Sequence, residues 1–170
     1  MPVTERTSTP TFTWLEPSPI GDLLLTSDGD ALTGLYMSPH VRRPAITEPD
    51  AAHNVVFDEV VPQLRAYFAG ELRTFAVATR PAGTPFQLRV WDELSRIPYG
   101  ETISYAELAR RVGSPTGFRA VGQANGRNPI SVIVPCHRVI GASGKLVGYG
   151  GGAERKRFLL DLESAGQRLL

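Results

Sequence analysis

Cys136 is the only cysteine in the 170-residue chain, and it stands in the stretch "VIVPCHRVIG", Val132 to Gly141, directly before His137. A thiol is strongly nucleophilic only as its thiolate, and a histidine, directly or through a water, is the base that generates it near neutral pH. Adjacency alone does not make such a pair, because neighbours on an extended strand point to opposite faces. Cooperation between the two requires the backbone to turn at Cys136 or a water to bridge them. Without either, a lone cysteine in an apolar run is ordinarily a small packing residue. Pro135 fixes the chain just before the sulfur. Glu163 lies at the edge of an apolar stripe made by Phe158, Leu159 and Leu162. It is either a solvated rim residue or the carboxylate that orients His137 in a Cys–His–Glu chain.

The remaining composition limits what this chemistry serves. One cysteine excludes an intrachain disulfide and leaves no CxxC spacing that could close a zinc site by itself, which fits a reducing compartment; no metal or cofactor is expected. A cysteine hydrolase would use the same pair, whereas a redox enzyme would want a second, resolving thiol. The leader "MPVTERTSTPTFTW" is polar, and no run approaches the roughly 20 apolar residues of a membrane span, which points to a soluble, cytoplasmic chain without a membrane partner. Residues 1–85 carry 6 Lys/Arg against 10 Asp/Glu, net −4, and residues 86–170 carry 12 against 7, net +5. A basic half beside an acidic one fits a chain of which one part meets a polyanion.

The elements that must position these groups are readable from pattern. "TFTWLEPSPIGDLLLTSDGDALTGLYM" reads as short strands separated by turn residues, a hairpin or meander. "AAHNVVFDEVVPQLRAYFAG" has helical spacing ending at Gly70, with Pro62 expected to kink or restart it, and "TFAVAT" alternates as a last strand. Thr84, Pro85 and Gln87 predict an N-cap, a first-turn proline and a capping box opening "PFQLRVWDELSRI". Ser104 and Glu107 predict a second box for "YAELARRVG". Another helix begins within a few residues, with Ser114 or Thr116 as its cap and Pro115 in its first turn. Two short helices joined by a glycine-containing turn form a helix-turn-helix or an ordinary αα-hairpin. The second helix is lined by Ala120, Gly122, Ala124 and Gly126, with Arg119 and Arg127 among them. Interior glycines cost about 1 kcal/mol each, so a close contact should compensate, and arginines beside a smooth face suit a phosphate backbone. The glycines of "GYGGG" allow a backbone to approach a flat ligand. The expected fold class is therefore α+β: a small sheet with a helix in residues 1–80, a linker at 81–85, and a mainly helical, winged-helix-like part in 86–170.

"NPISVIVPCHRVIG" followed by "SGKLVGYGGG", behind "SYAELARRVGSPTGFRAVGQANGRNP", resembles the O6-alkylguanine-DNA alkyltransferases, also called methylated-DNA–protein-cysteine methyltransferases. The N-terminal half resembles the family's more variable domain through "SPIGDLLLTSDGDALTGL", "AYFAGE" and "RPAGTPFQLRVW". Members of the human type carry zinc there, but this chain has no cysteine ligands for one. The resemblance implies irreversible, single-turnover transfer of an alkyl group from O6 of guanine in flipped-out duplex DNA to Cys136, with O4 of thymine left open as a second target. It implies His137 as base through a water, Glu163 as its orienting carboxylate, Asn128 as the tie between the recognition helix and the thiol segment, and Tyr105 as the guanine's hydrogen-bonding partner. Val139, Tyr149, Gly150 and Gly151 match pocket positions. Arg119 matches the finger that fills the vacated stack, and Ser104, Phe118, Ala120, Gly122 and Arg127 match the DNA face. Two positions depart from the pattern: Gly150, where some members have serine, and Phe118, which is bulky beside the finger. The partner implied is double-stranded DNA containing O6-alkylguanine, met by a chain that is monomeric without DNA, with cooperative assembly on DNA left open. A damage sensor using the helix-turn-helix alone is the remaining alternative, and sensors of that kind lack the cysteine.

Overall fold

The structure, a computed structural model, describes residues 11–38, 54–146, 149 and 151–168. The leader, most of the connector before the first helix, and Gly150 lie outside the described residues, so the pocket role expected of Gly150 has no structural counterpart here. Strands β1 (Phe12–Glu16), β2 (Leu23–Ser27) and β3 (Leu32–Met37) form an antiparallel meander in the order β1-β2-β3. Its turns close at Gly21 and Gly29, whose φ values of 97° and 104° explain the glycines in "PIGD" and "SDGD". All five residues of the central strand β2 are buried.

Helix α1 (Val55–Phe68) buries Val56, Phe57, Val60, Val61, Leu64 and Tyr67, a spacing that gives one continuous apolar stripe. Each such side chain contributes about 1.5–3 kcal/mol on leaving water. Pro62 does not restart the helix, which runs through it as one element with the proline exposed. The helix stops as the sequence indicates: Gly70 has φ 76°, its N–H meets the Tyr67 carbonyl, and the Glu71 N–H meets the Ala66 carbonyl. "TFAVAT" does not form a strand. Only Thr79 bridges to Leu32, through the Leu32 N–H to the Ala78 carbonyl (2.9 Å) and the Arg80 N–H to the Leu32 carbonyl (2.8 Å). Two flanking hydrogen bonds fix this segment without a continuing ladder.

Thr84 and Gln87 cap α2 (Pro85–Leu94) reciprocally, as expected. Strand β4 (Ile103–Ser104) leads directly into α3 (Tyr105–Arg111), which Ser104 caps through the Glu107 N–H (3.1 Å). The second capping box is only half made, because the Glu107 carboxylate turns to Arg110 and Arg111 instead. Helix α4 (Phe118–Gly126) also starts later than expected: Gly117 is its N-cap, and Ser114, Pro115 and Thr116 belong to the preceding turn. A Cβ at Gly117 would sit 2.3 Å from the Ser114 Oγ and 3.2 Å from the Ser114 carbonyl, so a larger residue there would require Ser114 to move. A one-turn 3₁₀ helix (Cys136–Arg138), β5 (Val139–Ile140, parallel to β4) and α5 (Ala153–Arg168) complete the chain. Residues from both halves share one contiguous apolar core. Among the described residues no helix is long and apolar enough to cross a membrane.

Candidate active site

The backbone does turn at the thiol. Cys136 opens the 3₁₀ turn and is 4% exposed, and His137 and Arg138 follow it into the interior. The approach to the turn is held by Asn128, two residues beyond α4. Its Nδ2 donates to the Val134 carbonyl (2.7 Å) and its Oδ1 accepts from the Ile130 N–H (3.0 Å), so one buried amide spans the loop between α4 and the thiol. Asn125 adds a longer contact from its Nδ2 to the Cys136 carbonyl (3.4 Å). Within that loop Val132 has φ 70°, a conformation costly for a β-branched residue, so the surrounding bonds impose the loop's shape against local preference.

His137 is fully buried, and its Nε2 lies 2.7 Å from the Glu163 Oε1. A carboxylate at that distance requires the proton on Nε2, which leaves Nδ1 with its lone pair free, and Nδ1 has no protein hydrogen-bond partner among the described residues. Glu163 is shared. Its Oε1 also accepts from the Tyr67 hydroxyl (2.8 Å) and the Arg138 Nη2 (2.8 Å), and its Oε2 from the Arg138 Nε (2.9 Å). Burial pushes the Glu163 carboxyl up, but hydrogen bonds from His137 and Arg138 outweigh it and hold it at about 2. Burial pushes the His137 imidazole down against the pull of that carboxylate, so the ring rests neutral.

Burial also pushes the Cys136 thiol up. The Asn128 amide, the Lys156 charge and the backbone N–H groups of Cys136 and His137 act in the opposite sense, favouring the thiolate. Lys156 comes from α5, is fully buried, donates to the Val139 carbonyl (2.5 Å), and lies 6.0 and 5.9 Å from the ring centroids of Tyr105 and Tyr149. Its own ionisation is pulled down by burial and supported by a negative Cys136. Tyr105, half-buried at the start of α3, has its hydroxyl pushed up by burial and by the Cys136 charge, with the Asn125 amide opposing. The site thus rests as neutral thiol and neutral imidazole, with a fixed cation and N–H groups arranged for the moment the sulfur becomes negative.

Most of the predicted site residues converge here: Cys136, His137, Glu163, Asn128, Tyr105, Tyr149 and Val139. Two behave differently from a simple pocket lining. The Tyr149 hydroxyl is directed to the Met37 sulfur (3.8 Å), and a Cβ at Gly151 would lie 2.5 Å from that same sulfur, so Gly151 is accounted for by packing within the chain. Sequence reasoning missed Arg138, Tyr67, Asn125 and Lys156. Lys156 had a signal: it lies three residues before Leu159 and seven before Glu163, hence on the same helical face.

The helix-turn-helix presents Phe118, Arg119, Ala120, Gln123 and Arg127 to solvent, while Val121, Ala124 and Asn125 face inward. Trp91 anchors the inner side by donating from Nε1 to the Ala124 carbonyl (2.8 Å). Arg119 and Arg127 make no side-chain hydrogen bond or ion pair among the described residues. A Cβ at Gly122 would meet only the Tyr105 ring, at 4.0 Å, so no internal contact demands this glycine and the shallow surface it leaves is open to a partner. Ser104 is engaged as the α3 cap.

Comparison with known proteins accords with this arrangement. Residues 85–165 match the family model described as 6-O-methylguanine DNA methyltransferase, DNA binding domain, and residues 13–81 the corresponding ribonuclease-like domain. The chain belongs to the 6-O-methylguanine DNA methyltransferase family. A methylated-DNA–protein-cysteine methyltransferase of Mycobacterium bovis is 56% identical over 150 residues, covering 87% of this chain and 89% of the relative. One from Methanosarcina acetivorans is 49% identical over 148 residues, covering 87% and 95%. A crystal structure of Mycobacterium tuberculosis OGT in complex with DNA superimposes with a TM-score of 0.82 at 54% identity, covering 92% of this chain and 93% of the other.

Proposed function

We propose that this chain repairs alkylated DNA by direct reversal, taking the alkyl group from O6 of guanine onto Cys136. The observation that carries the reading is the buried sole thiol at the head of a turn whose histidine is fixed through Nε2 on Glu163, leaving Nδ1 as the base. The thiol proton passes through a water to Nδ1. The sulfur electron pair forms an S–C bond to the alkyl carbon as the C–O6 bond breaks. The electrons of that bond go to the guanine, which takes a proton relayed by the Tyr105 hydroxyl. The Lys156 ammonium and the N–H groups at the turn stabilise the thiolate as it forms. The product thioether has no leaving group that water can displace, so each chain acts once.

The target carbon lies within a stacked duplex, and rotating the nucleotide out costs a few kcal/mol. Arg119 fills the gap, and Arg127, Ser104, Phe118, Ala120 and Gly122 form the surface against the groove. Val139, Tyr149 and Gly151 enclose the flipped base. The reading divides the chain into residues 1–80, a linker 81–85 and a DNA-binding, alkyl-accepting part 86–170. The partner is double-stranded DNA containing O6-alkylguanine, met by a monomer in the cytoplasm.

The test is incubation with duplex O6-methylguanine DNA followed by intact-protein and peptide mass analysis. Uptake should stop at one methyl per chain, on the Cys136 peptide; product release beyond one equivalent would refute it. In the same assay, Arg119→Ala should impair the duplex reaction far more than the reaction with free O6-benzylguanine, which needs no extrusion. A phosphate-only role would weaken binding to all duplexes alike and lower the salt slope by about one unit.

A further inference from the structure

We propose that Tyr67, in the N-terminal half, is a positioning residue of the alkyl-transfer site that sets the basicity of His137 through Glu163. The inference rests on the proposed relay but concerns a residue 96 positions away from the carboxylate it touches. Tyr67 is fully buried, and its ring is fixed by Phe68, Phe75 and Tyr99, with centroid separations of 5.3, 5.2 and 6.3 Å. A buried phenol needs an acceptor, and this one ends on the oxygen that also receives the His137 Nε2.

Competition at that oxygen makes the contact functional. The Glu163 Oε1 accepts from Tyr67, His137 and Arg138, whereas Oε2 accepts from the Arg138 Nε. An oxygen with two lone pairs cannot serve three donors fully. Whatever charge density the phenol draws is lost to the imidazole, so the hydroxyl makes His137 a weaker base than an uncontested carboxylate would. The other groups bearing on this point are accounted for. Arg138 comes from the 3₁₀ turn, Lys156 and Glu163 from α5, Tyr99 from the segment after α2 with Arg73 over its ring, and the Tyr149 hydroxyl is turned to Met37. Of the donors to the carboxylate described above, Arg138 and His137 belong to the thiol turn and Tyr67 to the N-terminal half.

Tyr67→Phe keeps the ring packing and removes only the donor. The imidazolium should then be better supported. The acid limb of the single-turnover alkylation rate should move to higher pH by roughly half a unit to one unit, with duplex binding unchanged. The chain has three histidines, so the ring-proton NMR titration of His137 is separable and should move by the same amount without any DNA. A fluorinated tyrosine at position 67, a stronger donor in the same space, should move both readouts the other way. It also keeps the test available if the phenylalanine variant is too unstable to study. No shift in either variant, whatever the change in thermal stability, would reduce Tyr67 to packing, and a shift of opposite sign would also overturn the proposal. Loss of the Cys136 adduct in the unmodified protein would instead strike at the alkyl-transfer reading, while the NMR titration would still decide the role of Tyr67.

Discussion

Glu16 in β1 and Glu163 in α5 are buried to nearly the same degree, 3% and 1% exposed, but they are held in different ways. Glu16 takes the Trp14 Nε1 (3.0 Å) and the Arg65 guanidinium (2.7 and 3.3 Å), and the arginine side chain is 65% exposed. Water screens that pair, and water can replace the arginine. Glu163 takes its donors from α1 and from the 3₁₀ turn, and its arginine is itself buried, with its Nη1 on the Ile97 carbonyl (2.6 Å). The first carboxylate closes a surface edge. The second is a junction through which α1, the thiol turn and α5 act on one imidazole. Buried ionic clusters are seldom the cheapest way to stabilise a fold, so a cluster of this kind calls for a chemical reason.

Removing each arginine in turn gives the largest contrast. Arg138→Ala strands the Glu163 charge in the interior and is expected to cost about 3–5 kcal/mol in urea unfolding. Arg65→Ala should leave the unfolding midpoint nearly where it was. Equal losses would erase the distinction between the two sites.

A smaller effect, on rate, is expected from the carboxylates themselves. Glu163→Gln should slow single-turnover methyl transfer by about ten- to a hundredfold while gel-shift affinity for the duplex holds, because the imidazolium loses its counter-charge but the groove face is untouched. Glu16→Gln should leave the transfer rate unchanged. An unaltered rate and pH profile in Glu163→Gln would remove the carboxylate from the relay.

The gentlest probe is acid. The folded-state values of both His137 and Glu163 are depressed, so the unfolded chain takes up protons that the native chain refuses. The stability they contribute is complete above the ordinary histidine value of about 6.5 and declines first as pH falls through it. It declines more steeply below the ordinary glutamate value of about 4.3, down toward the Glu163 value of about 2. Urea midpoints followed from neutrality into the acid range should therefore fall throughout, and a midpoint that rises on mild acidification would contradict the assignment of a neutral buried imidazole.

What could be read from the chain in advance follows the range of the interaction. The Thr84–Gln87 box and the αL glycine at 70 are decided by residues within one or two turns, and they stand as the pattern indicates. "TFAVAT" alternates like a strand but lacks a continuous neighbour, which only the assembled fold decides. The Glu107 cap is the local exception, lost to Arg110 and Arg111 three and four residues on because a charged partner outcompetes a neutral N–H. The motif around Cys136 made the thiol and the imidazole legible, while the apolar stripe of the last helix left two readings of Glu163 between which the family resemblance chose. Tyr67 was not legible, since a phenol in the buried stripe of α1 looks like any other core aromatic until the partner across the fold is known.

The outer edge of β3 carries one further consequence. Beyond Thr79, it is met by the loop that leads to the thiol: the Leu35 N–H donates to the Pro129 carbonyl (2.8 Å), and its carbonyl accepts from the Ser131 N–H (3.2 Å). That loop therefore also serves as the cover of a sheet edge. A molecule in which it let go would expose unpaired amides beside the apolar run of β2 and β3, the template on which strands of other copies add and aggregates grow. The segment that delivers the thiol thus doubles as a guard against self-association, and a copy that opened there would offer its sheet edge to its neighbours.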